Sequence, residues 1–293
     1  MSLQSSSQKE KNAVLGGVLY LVATPIGNLS DMSERALKVL SEVDFVAAED
    51  TRNTGIMLSR FGISKPMISY FEHNKKERGS QIASRLENGE SCALVTDAGT
   101  PAISDPGEDI VRLCAEHGIT VTSIPGCCAA ITALTLSGMD TRRFCFEGFL
   151  SANKGERRDR LDELKDERRT MIFYEAPHKL RTTLADLQKY FGEDRAIALC
   201  RELTKLNEEV TRTTIGQANA LYEEREPRGE YVLIVAGSSK VKQADYPEDP
   251  AEHVQMLVDS GMTKKDAIKA VAKARGVAKN DIYSLVMKKD EEE

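Results

Sequence analysis

The spacing of hydrophobic positions divides the first half of the chain into alternating strands and helices. Short apolar runs bounded by turn residues predict buried strands at Val18–Ala23, Phe45–Ala48, Cys92–Thr96 and Thr120–Ile124. Between them, apolar residues at helical spacing predict helices over Met32–Ser41, Asn53–Arg60, Lys75–Asn88, from an N-cap at Asp105 to His117, and over Gly126–Leu136. This alternation is typical of βαβ units around a largely parallel sheet.

The second half has a different rhythm. After a turn-rich stretch at Gly138–Arg143, the pattern predicts strands at Phe144–Phe149, Thr170–Tyr174, Ala196–Cys200, Glu209–Thr214 and Tyr231–Ala236. Helices are predicted over Gly155–Glu167, Pro177–Tyr190 and Gln217–Glu224. Because Glu209–Thr214 alternates between polar and apolar residues like an exposed strand, we expect a mixed sheet here.

A polar linker at Gly237–Pro247 precedes three short helical patterns. Asp249-Pro250, Thr263 with Asp266, and Asn280 are their start signals. The expected fold class is therefore α/β, with two α/β domains and a small C-terminal helical domain. The expected boundaries are a disordered leader at 1–16, an N-terminal domain at 17–138, a second α/β domain at 139–237 and a helical tail at 248–293.

Composition narrows the class of protein. The 293 residues carry a formal net charge of -6, which excludes a wholly basic surface for nucleic acid but not a local basic patch. The six cysteines lack CxxC or Cys/His ligand spacing, so we expect reduced thiols and no metal. No apolar run approaches the roughly 20 residues that span a bilayer, and residues 1–12 lack the apolar segment of a signal peptide. We therefore expect a cytoplasmic protein without a membrane partner.

Three loops rich in glycine and proline each follow a predicted strand of the first sheet. They are TPIGN at 24–28, DAGTP at 97–101 and IPG at 124–126. In an open α/β sheet, ligands bind beyond the carboxyl ends of the strands, so three such loops favour one small-molecule site. A single loop of this kind can equally be an ordinary turn. The GxxxxGK[ST], GxGxxG and GxSxG motifs are all missing, so the loops need another ligand.

Read in order, several segments resemble the tetrapyrrole methylase superfamily of S-adenosylmethionine enzymes. Within it, they resemble the branch that methylates small-subunit ribosomal RNA. The matching segments include LVATPIGNLSDMSERAL, AAEDTRNTG, VTDAGTPAISDPG, IPGCCAAITAL, FEGFL, FYEAPHKL, CRELTKLNEEV and GEYVLIVAG, in unbroken order from Gly17 to Gly237.

The resemblance implies S-adenosylmethionine bound between the two α/β domains, a homodimer, and methylation of a cytidine 2′-hydroxyl in the decoding region of 16S ribosomal RNA. It also implies a set of cofactor-binding positions: Pro25, Gly99, Thr100, Pro101, Ile103, Ser123, Ile124, Cys128, Tyr174, Leu203 and Gly229. Cys128 can equally be a packed core thiol.

Two charged segments offer catalytic candidates, because a ribose hydroxyl is a weak acid that benefits from a base or a nearby cation. Glu49 or Asp50 is a candidate base, and Arg52 a candidate phosphate ligand. The alternative for this segment is a helix cap plus a surface ion pair. Glu202 and Lys205 are a rival base and a rival cation, and their alternative is a solvated charge cluster.

One further pair of carboxylates, Asp97 and Asp105, is not expected to be catalytic, because Asp105 is better explained as an N-cap.

The C-terminal tail is positively charged, in contrast to the chain as a whole. Between Met262 and Lys289, eight Lys and Arg residues face only two acidic residues, a net charge of +6. Ala267, Ile268, Val271 and Ala274 form an apolar stripe, and two helices joined through Gly276 resemble a helix-turn-helix. RNA contact is expected at Lys264, Lys265, Lys269, Lys273, Arg275 and, in the first domain, His73. A solvated basic face and, for His73, an ordinary loop residue are the alternatives.

Two other functions remain open at this point. A methyltransferase of the same fold that acts on a tetrapyrrole in cobalamin synthesis is disfavoured by the TPIGN loop and the basic tail. A non-enzymatic RNA-binding or ribosome-assembly protein would leave the three loops without a purpose.

Overall fold

The computed structural model describes residues 13–239 and 246–292. Of these, the residues up to Ser238 form one compact unit, and those from Ser239 onward form a second. Of the expected leader, only residues 13–16 are described, and the Leu15 backbone N–H donates to the Tyr20 hydroxyl at 2.8 Å. Most of the expected linker, residues 240–245, lies outside the described part.

The first sheet is entirely parallel. Its strands are β1 (Val18–Val22), β2 (Phe45–Ala48), β3 (Met67–Ser69), β4 (Cys92–Val95) and β5 (Thr120–Ile124), in the order β3-β2-β4-β1-β5. The edge strand β3 was not predicted from the sequence, because it has only three residues and none of them is fully buried. The central strands β2 and β4 are buried throughout, which explains their unbroken apolar sequences.

Helices cover both faces of this sheet. They are α1 (Glu34–Glu42), α2 (Thr51–Arg60), α3 (Lys75–Glu87) and α4 (Glu108–Glu116). Leu40 of α1 packs in the core on one face, and Ile82 of α3 packs on the other. Fully burying an aliphatic side chain of this size contributes about 1.5–3 kcal/mol. The prediction of Asp105 as an N-cap is wrong, because α4 begins at Glu108 with Gly107 as its cap residue.

The second sheet is mixed, as predicted. Its strands are β6 (Phe144–Phe149), β7 (Thr170–Glu175), β8 (Ala196–Arg201), β9 (Glu209–Thr214) and β10 (Tyr231–Val235), in the order β6-β7-β10-β8-β9. Strands β6 and β7 are parallel, and the other neighbours are antiparallel. Helices α6 (Lys154–Leu164), α7 (Leu180–Phe191) and α8 (Ile215–Glu224) cover one face.

Helix α5 (Ala129–Ser137) covers the other face of the second sheet. Its Ala130, Ala133 and Leu134 pack in one core with Ile172 and Ile234. Helix α5, which was expected to end the N-terminal domain, thus packs against the second sheet. The domain boundary near residue 138 stays a prediction. Below, the first lobe means residues 18–124 and the second lobe residues 144–235.

The tail unit contains three helices: α9 (Pro250–Asp259), α10 (Lys264–Arg275) and α11 (Lys279–Glu292). Asp249 and Thr263 cap α9 and α10 as predicted, and Gly276 ends α10 in a left-handed conformation. Asn280 is not the cap predicted for the third helix, since α11 begins one residue earlier. The apolar stripe of α10 differs at one position, because Ala272 is buried and Ala274 is exposed.

Candidate functional site

The three glycine- and proline-containing loops meet at one edge of the first sheet. Strand β1 lies between β4 and β5, so the loops that follow these strands are neighbours. Thr24 and Gly99 exchange two backbone hydrogen bonds of 2.9 and 3.0 Å. The Thr100 hydroxyl donates to the Cys127 carbonyl at 2.8 Å, which joins the third loop to the second.

A cavity of about 480 Å³ lies between these loops and one edge of the second sheet, where β6, β7 and β8 end and the antiparallel β10 begins. Its volume is within the range of small-molecule sites. From the first lobe and α5, it is lined by Ile26, Glu49, Asp97, Ala98, Gly99, Thr100, Ile103, Ser104, Asp105, Cys128 and Ala129. From the second lobe, it is lined by Phe149, Tyr174, Glu175, Ala176, Pro177, Cys200, Glu202, Leu203, Lys205, Glu230, Tyr231 and Val232.

Backbone strain is concentrated beside this cavity. Within residues 13–239 and 246–292, the non-glycine residues with positive φ are Ala102, Ser104, Glu202 and Thr204, with φ between 53 and 66°. All four lie in two loops that line the cavity, one after β4 and one after β8. Such conformations each cost about 1–3 kcal/mol and persist where the surrounding structure holds them, which is common at functional sites.

Six of the eleven expected cofactor-binding positions line the cavity. Gly99, Thr100, Ile103, Cys128, Tyr174 and Leu203 line it. Pro25, Pro101, Ser123, Ile124 and Gly229 are outside its lining. Ile124 is buried in the first lobe's core, and Gly229 packs against the side chain of Glu202.

The catalytic candidates divide into two groups. Glu49, Glu202 and Lys205 line the cavity, whereas Asp50 and Arg52 do not. The Asp50 carboxylate caps α2 by accepting the Arg52 backbone N–H at 2.8 Å, and it pairs with the Arg52 guanidinium at 2.7 Å. This geometry is the helix cap and surface ion pair of the alternative interpretation, and a catalytic role for either residue stays a prediction.

The cavity is strongly acidic. Among the described residues, those that line it carry six carboxylates and one ammonium, that of Lys205. Lys205 Nζ lies 3.0 Å from both Glu202 Oε1 and Glu230 Oε2. Burial disfavours charge on Glu202, but the hydrogen bonds from Lys205 and from the Glu230 backbone outweigh it and lower the pKa of Glu202. A site with this balance favours a ligand that carries positive charge.

Asp97 and Asp105, the pair of carboxylates that was not expected to be catalytic, line the same cavity. Burial, followed by the nearby charges of Glu49 and Asp97, raises the pKa of Asp105 to about 6. Burial and Asp97 also raise the pKa of Glu49. The DPG sequence at 105–107 suggested a helix start, whereas the strained loop delays α4 to Glu108 and leaves Asp105 at the cavity.

Comparison with known proteins places the fold and the loops in one family. Residues 18–219 match the family described as Tetrapyrrole (Corrin/Porphyrin) Methylases. The chain belongs to the tetrapyrrole methylase family. It is 44% identical over 270 residues to "Ribosomal RNA small subunit methyltransferase I" of Synechocystis sp., covering 92% of this chain and 97% of the relative. Similar relatives of that name occur in Haemophilus influenzae (45% identity, 92% and 96% covered) and Halalkalibacterium halodurans (44%, 97% and 99%).

Solved structures of tetrapyrrole methylases share the fold at low sequence identity. The uroporphyrin-III-C-methyltransferase of Thermus thermophilus has a TM-score of 0.55 at 18% identity, covering 75% of this chain and 94% of the other. The cobalt precorrin-4 methyltransferase has a TM-score of 0.56 at 16% identity, covering 75% and 95%. These two likenesses concern the fold alone.

In this tetrapyrrole methylase, an aromatic cluster forms one wall of the cavity. The Tyr174 ring meets Phe146 and Phe149 edge to face, at centroid distances of 5.1 and 5.6 Å. The Tyr174 hydroxyl accepts the Ala130 backbone N–H at 3.1 Å, which fixes the ring against α5. Phe149 is 59% exposed although it lines the cavity, so more than half of this residue is accessible beside the cavity.

The second lobe supports its side of the cavity with buried polar contacts. Glu175, only 3% exposed, accepts the Ala176 backbone N–H at 2.9 Å and hydrogen-bonds to the Thr183 hydroxyl. Arg157 donates to Thr183 Oγ1 at 2.8 Å and to Asp186 at 2.6 Å. These contacts hold the turn at Ala176 and Pro177 in place. Glu175 lies in the FYEAPHKL segment, but it is not among the predicted site residues.

None of the expected RNA-binding residues is among the residues that line the cavity. The His73 ring meets the Phe71 ring edge to face at 6.1 Å in the loop before α3. In the tail unit, Lys264, Lys265, Lys269 and Lys273 have exposed side chains. Arg275 instead donates to the Pro247 and Glu248 carbonyls and lies over the Tyr246 ring at 4.7 Å. Tyr246 in turn stacks on His253 at 3.9 Å, so Arg275 holds the tail unit together.

The structure also bears on membranes and metals. Among the described residues, no helix has the length and apolar content needed to cross a membrane. Within the same residues, no group of three or more His, Cys, Asp and Glu side chains is arranged to hold a metal ion.

Proposed function

We propose that this chain transfers the methyl group of S-adenosylmethionine to the 2′-hydroxyl of a cytidine in the decoding region of 16S ribosomal RNA. The observation that carries the proposal is the identity of 44–45% to relatives named ribosomal RNA small subunit methyltransferase I, over 92–97% of the chain. The cavity between the two lobes is the proposed site of transfer. The small ribosomal subunit is the proposed partner.

The chemistry of the cavity fits S-adenosylmethionine. Six carboxylates against one ammonium suit a ligand with a sulfonium and an ammonium group. We propose that Gly99 and Thr100 hold it through the backbone, with Ile103, Cys128, Tyr174 and Leu203 as apolar and aromatic walls. When bound, it supplies an electrophilic methyl group.

The remaining proposed positions act indirectly. Pro25, Pro101, Ser123 and Ile124 shape the three loops behind the lining, and Gly229 makes room for Glu202. Lys205, held by two carboxylates, stays protonated: burial opposes its charge, but Glu202 and Glu230 raise its pKa. It can therefore stabilise negative charge that develops on a hydroxyl oxygen.

The substrate must present a single nucleotide to this cavity. A ribose hydroxyl becomes accessible when its nucleotide is splayed out of the RNA and its base stacks on an aromatic side chain. The exposed Phe149 side chain, which lines the cavity, is the aromatic group that we propose for that stacking. We propose that the exposed lysines of the tail, together with His73 and Arg52, contact the RNA outside the acidic cavity, because phosphates would be repelled from it.

We also propose that the chain acts in the cytoplasm as a homodimer. Large apolar side chains are exposed on the second lobe, including Leu206 at 99%, and such surface is commonly covered by a partner. Sedimentation equilibrium tests the dimer directly. A molar mass of one chain at micromolar concentration would exclude it.

The decisive experiment uses small ribosomal subunits from a strain that lacks this activity. The purified chain and methyl-labelled S-adenosylmethionine are added, and the labelled nucleotide is mapped by digestion and mass spectrometry. The proposal predicts label on one cytidine ribose of 16S RNA. Label on a base atom, label on an added uroporphyrinogen instead of RNA, or binding to subunits without any transfer would each reject it.

A further inference from the structure

Among the carboxylates of the cavity, Asp105 has the fewest partners within the protein. Glu49 accepts the backbone N–H of Asp97, and Asp97 accepts the side-chain amide of Asn53 at 3.0 Å. No group in the described part of the chain donates a hydrogen bond to the Asp105 carboxylate, and its neighbours act on it through burial and like charge alone. Its oxygens are therefore available to a ligand in the cavity.

The loop that carries Asp105 is closely packed. Ala102 and Ser104 have φ of 66 and 61°, so the chain folds back on itself before α4. A β-carbon at Gly107 would lie 3.0 Å from the Ala102 backbone nitrogen, and one at Gly148 would lie 3.2 Å from Ser104 Oγ. The loop thus packs both on itself and on strand β6 of the second lobe. A base acts well only if its position is fixed relative to the proton it takes.

Building on the proposed function, we infer that Asp105 is the general base that accepts the proton of the ribose 2′-hydroxyl during methyl transfer. The hydroxyl oxygen forms a bond to the methyl carbon. The carbon–sulfur bond breaks, and its electron pair goes to the sulfur, which becomes a neutral thioether. The hydroxyl proton passes to the Asp105 carboxylate, so that charge and atoms balance without another reactant.

The electrostatic surroundings of Asp105 suit this role. It is faced by Glu49 and Asp97 of the first lobe and by the Tyr174 hydroxyl of the second. Burial and, to a smaller extent, Cys128 and Asp105 raise the pKa of Tyr174 to about 12, so this phenol stays neutral. With its own pKa near 6, Asp105 is ionised at neutral pH and is a stronger base than an exposed aspartate. Glu202, with a lowered pKa and bonds to Lys205 and Glu230, is a weaker base.

The test compares Asp105→Asn and Asp105→Glu with Glu108→Gln, a nearby exposed carboxylate outside the cavity lining. Single-turnover methyl transfer to small subunits is measured from about pH 5 to 9, and S-adenosylmethionine binding is measured by calorimetry. We expect Asp105→Asn to slow transfer about 10²–10⁴-fold while the cofactor Kd changes by less than about threefold. Asp105→Glu should recover part of the rate, and the Glu108→Gln control should match the native protein.

The native rate should rise with pH through an apparent pKa near 6, a rise that Asp105→Asn should lack. A native-like rate in Asp105→Asn, or a lost cofactor affinity with an unchanged rate at saturation, would overturn the role of Asp105 and leave the proposed function standing. A native protein that binds S-adenosylmethionine but methylates no ribosomal RNA would overturn the proposed function and this inference with it.

Discussion

Gly229 leaves the space that the Glu202 carboxylate occupies. A β-carbon at Gly229 would lie 2.5 Å from Glu202 Oε1 and 2.6 Å from its Cγ. Gly229 also has φ of 76°, a conformation that favours glycine. The Glu230 backbone N–H next to it donates to the same carboxylate at 3.1 Å. Gly229 and Glu230 thus position the Glu202 side chain at the cavity, and Glu202 in turn positions Lys205.

Replacing Gly229 should therefore disturb the site as well as the fold. We expect Gly229→Ala to displace Glu202 and Lys205, to weaken S-adenosylmethionine binding about tenfold, and to destabilise the protein by about 1–3 kcal/mol. Calorimetry and urea unfolding measure the two effects. Gly62→Ala is the matched control, because Gly62 has a similar φ of 69° and open space around it. Equal losses of binding in both variants would mean that backbone strain, and not the contact with Glu202, is responsible.

Asp105 should destabilise the native state at neutral pH. Its pKa is raised in the folded protein, so the associated stability is present below the ordinary value of 3.8 and is lost as pH rises through about 6. We expect Asp105→Asn to unfold at a higher temperature than the native protein above pH 6, by about 2–4 °C for a net effect of about 1 kcal/mol after solvent screening. The difference should vanish near pH 4.

Asp109 provides a control of opposite sign for that measurement. Hydrogen bonding to Lys75 is the largest effect on its carboxylate, and it lowers the pKa of Asp109. Its stabilising contribution is therefore present above the ordinary pKa and is lost as the pH falls through the lowered value. Asp109→Asn should lower the unfolding temperature at neutral pH. A rise in both variants would show that the effect of Asp105→Asn is not electrostatic.

Phe149 should matter for the RNA and not for the fold. Stacking of one base on an aromatic side chain is worth about 1–3 kcal/mol, so Phe149→Ala should raise the KM for subunits about tenfold. The cofactor Kd should stay within about twofold, because Tyr174 keeps its bond to Ala130. Phe144→Ala, a partly exposed aromatic on the same strand outside the cavity lining, is the control. An unchanged KM in Phe149→Ala would remove this residue from the substrate site.

The tail lysines should contribute through charge. Replacing Lys265, Lys269 and Lys273 with Glu should weaken RNA binding. The slope of the logarithm of the binding constant against the logarithm of the salt concentration should become shallower by about 2, if each lysine contacts one phosphate. These side chains are exposed, so the helices should remain folded. The control is a triple variant with Glu at Arg158, Lys165 and Lys189, which are exposed on the second lobe. It changes the net charge by the same amount without altering the tail. Equal effects of both triple variants would reject the tail as the RNA contact.

Short-range patterns were sufficient for most of the elements. Strands β2, β5, β6 and β9 have the bounds that the sequence predicts, because an apolar run, or an alternation of apolar and polar residues, is visible in a short window. Caps such as Thr263 with Asp266 are equally local, since donor and acceptor are three residues apart. Strand β3 was missed because three half-exposed residues carry almost no such signal.

The amino-acid sequence by itself determined the alternating α/β pattern, the three loops and the family to which they belong, since each depends on residues that are neighbours along the chain. Only the tertiary structure decided which carboxylates share the cavity. Glu49, Asp97 and Asp105 come from two separate loops, and the strand order β3-β2-β4-β1-β5 brings those loops together. The sequence pattern of Asp105 is that of a helix cap, whereas its raised pKa arises first from burial and then from the charges of Glu49 and Asp97, which the fold brings beside it.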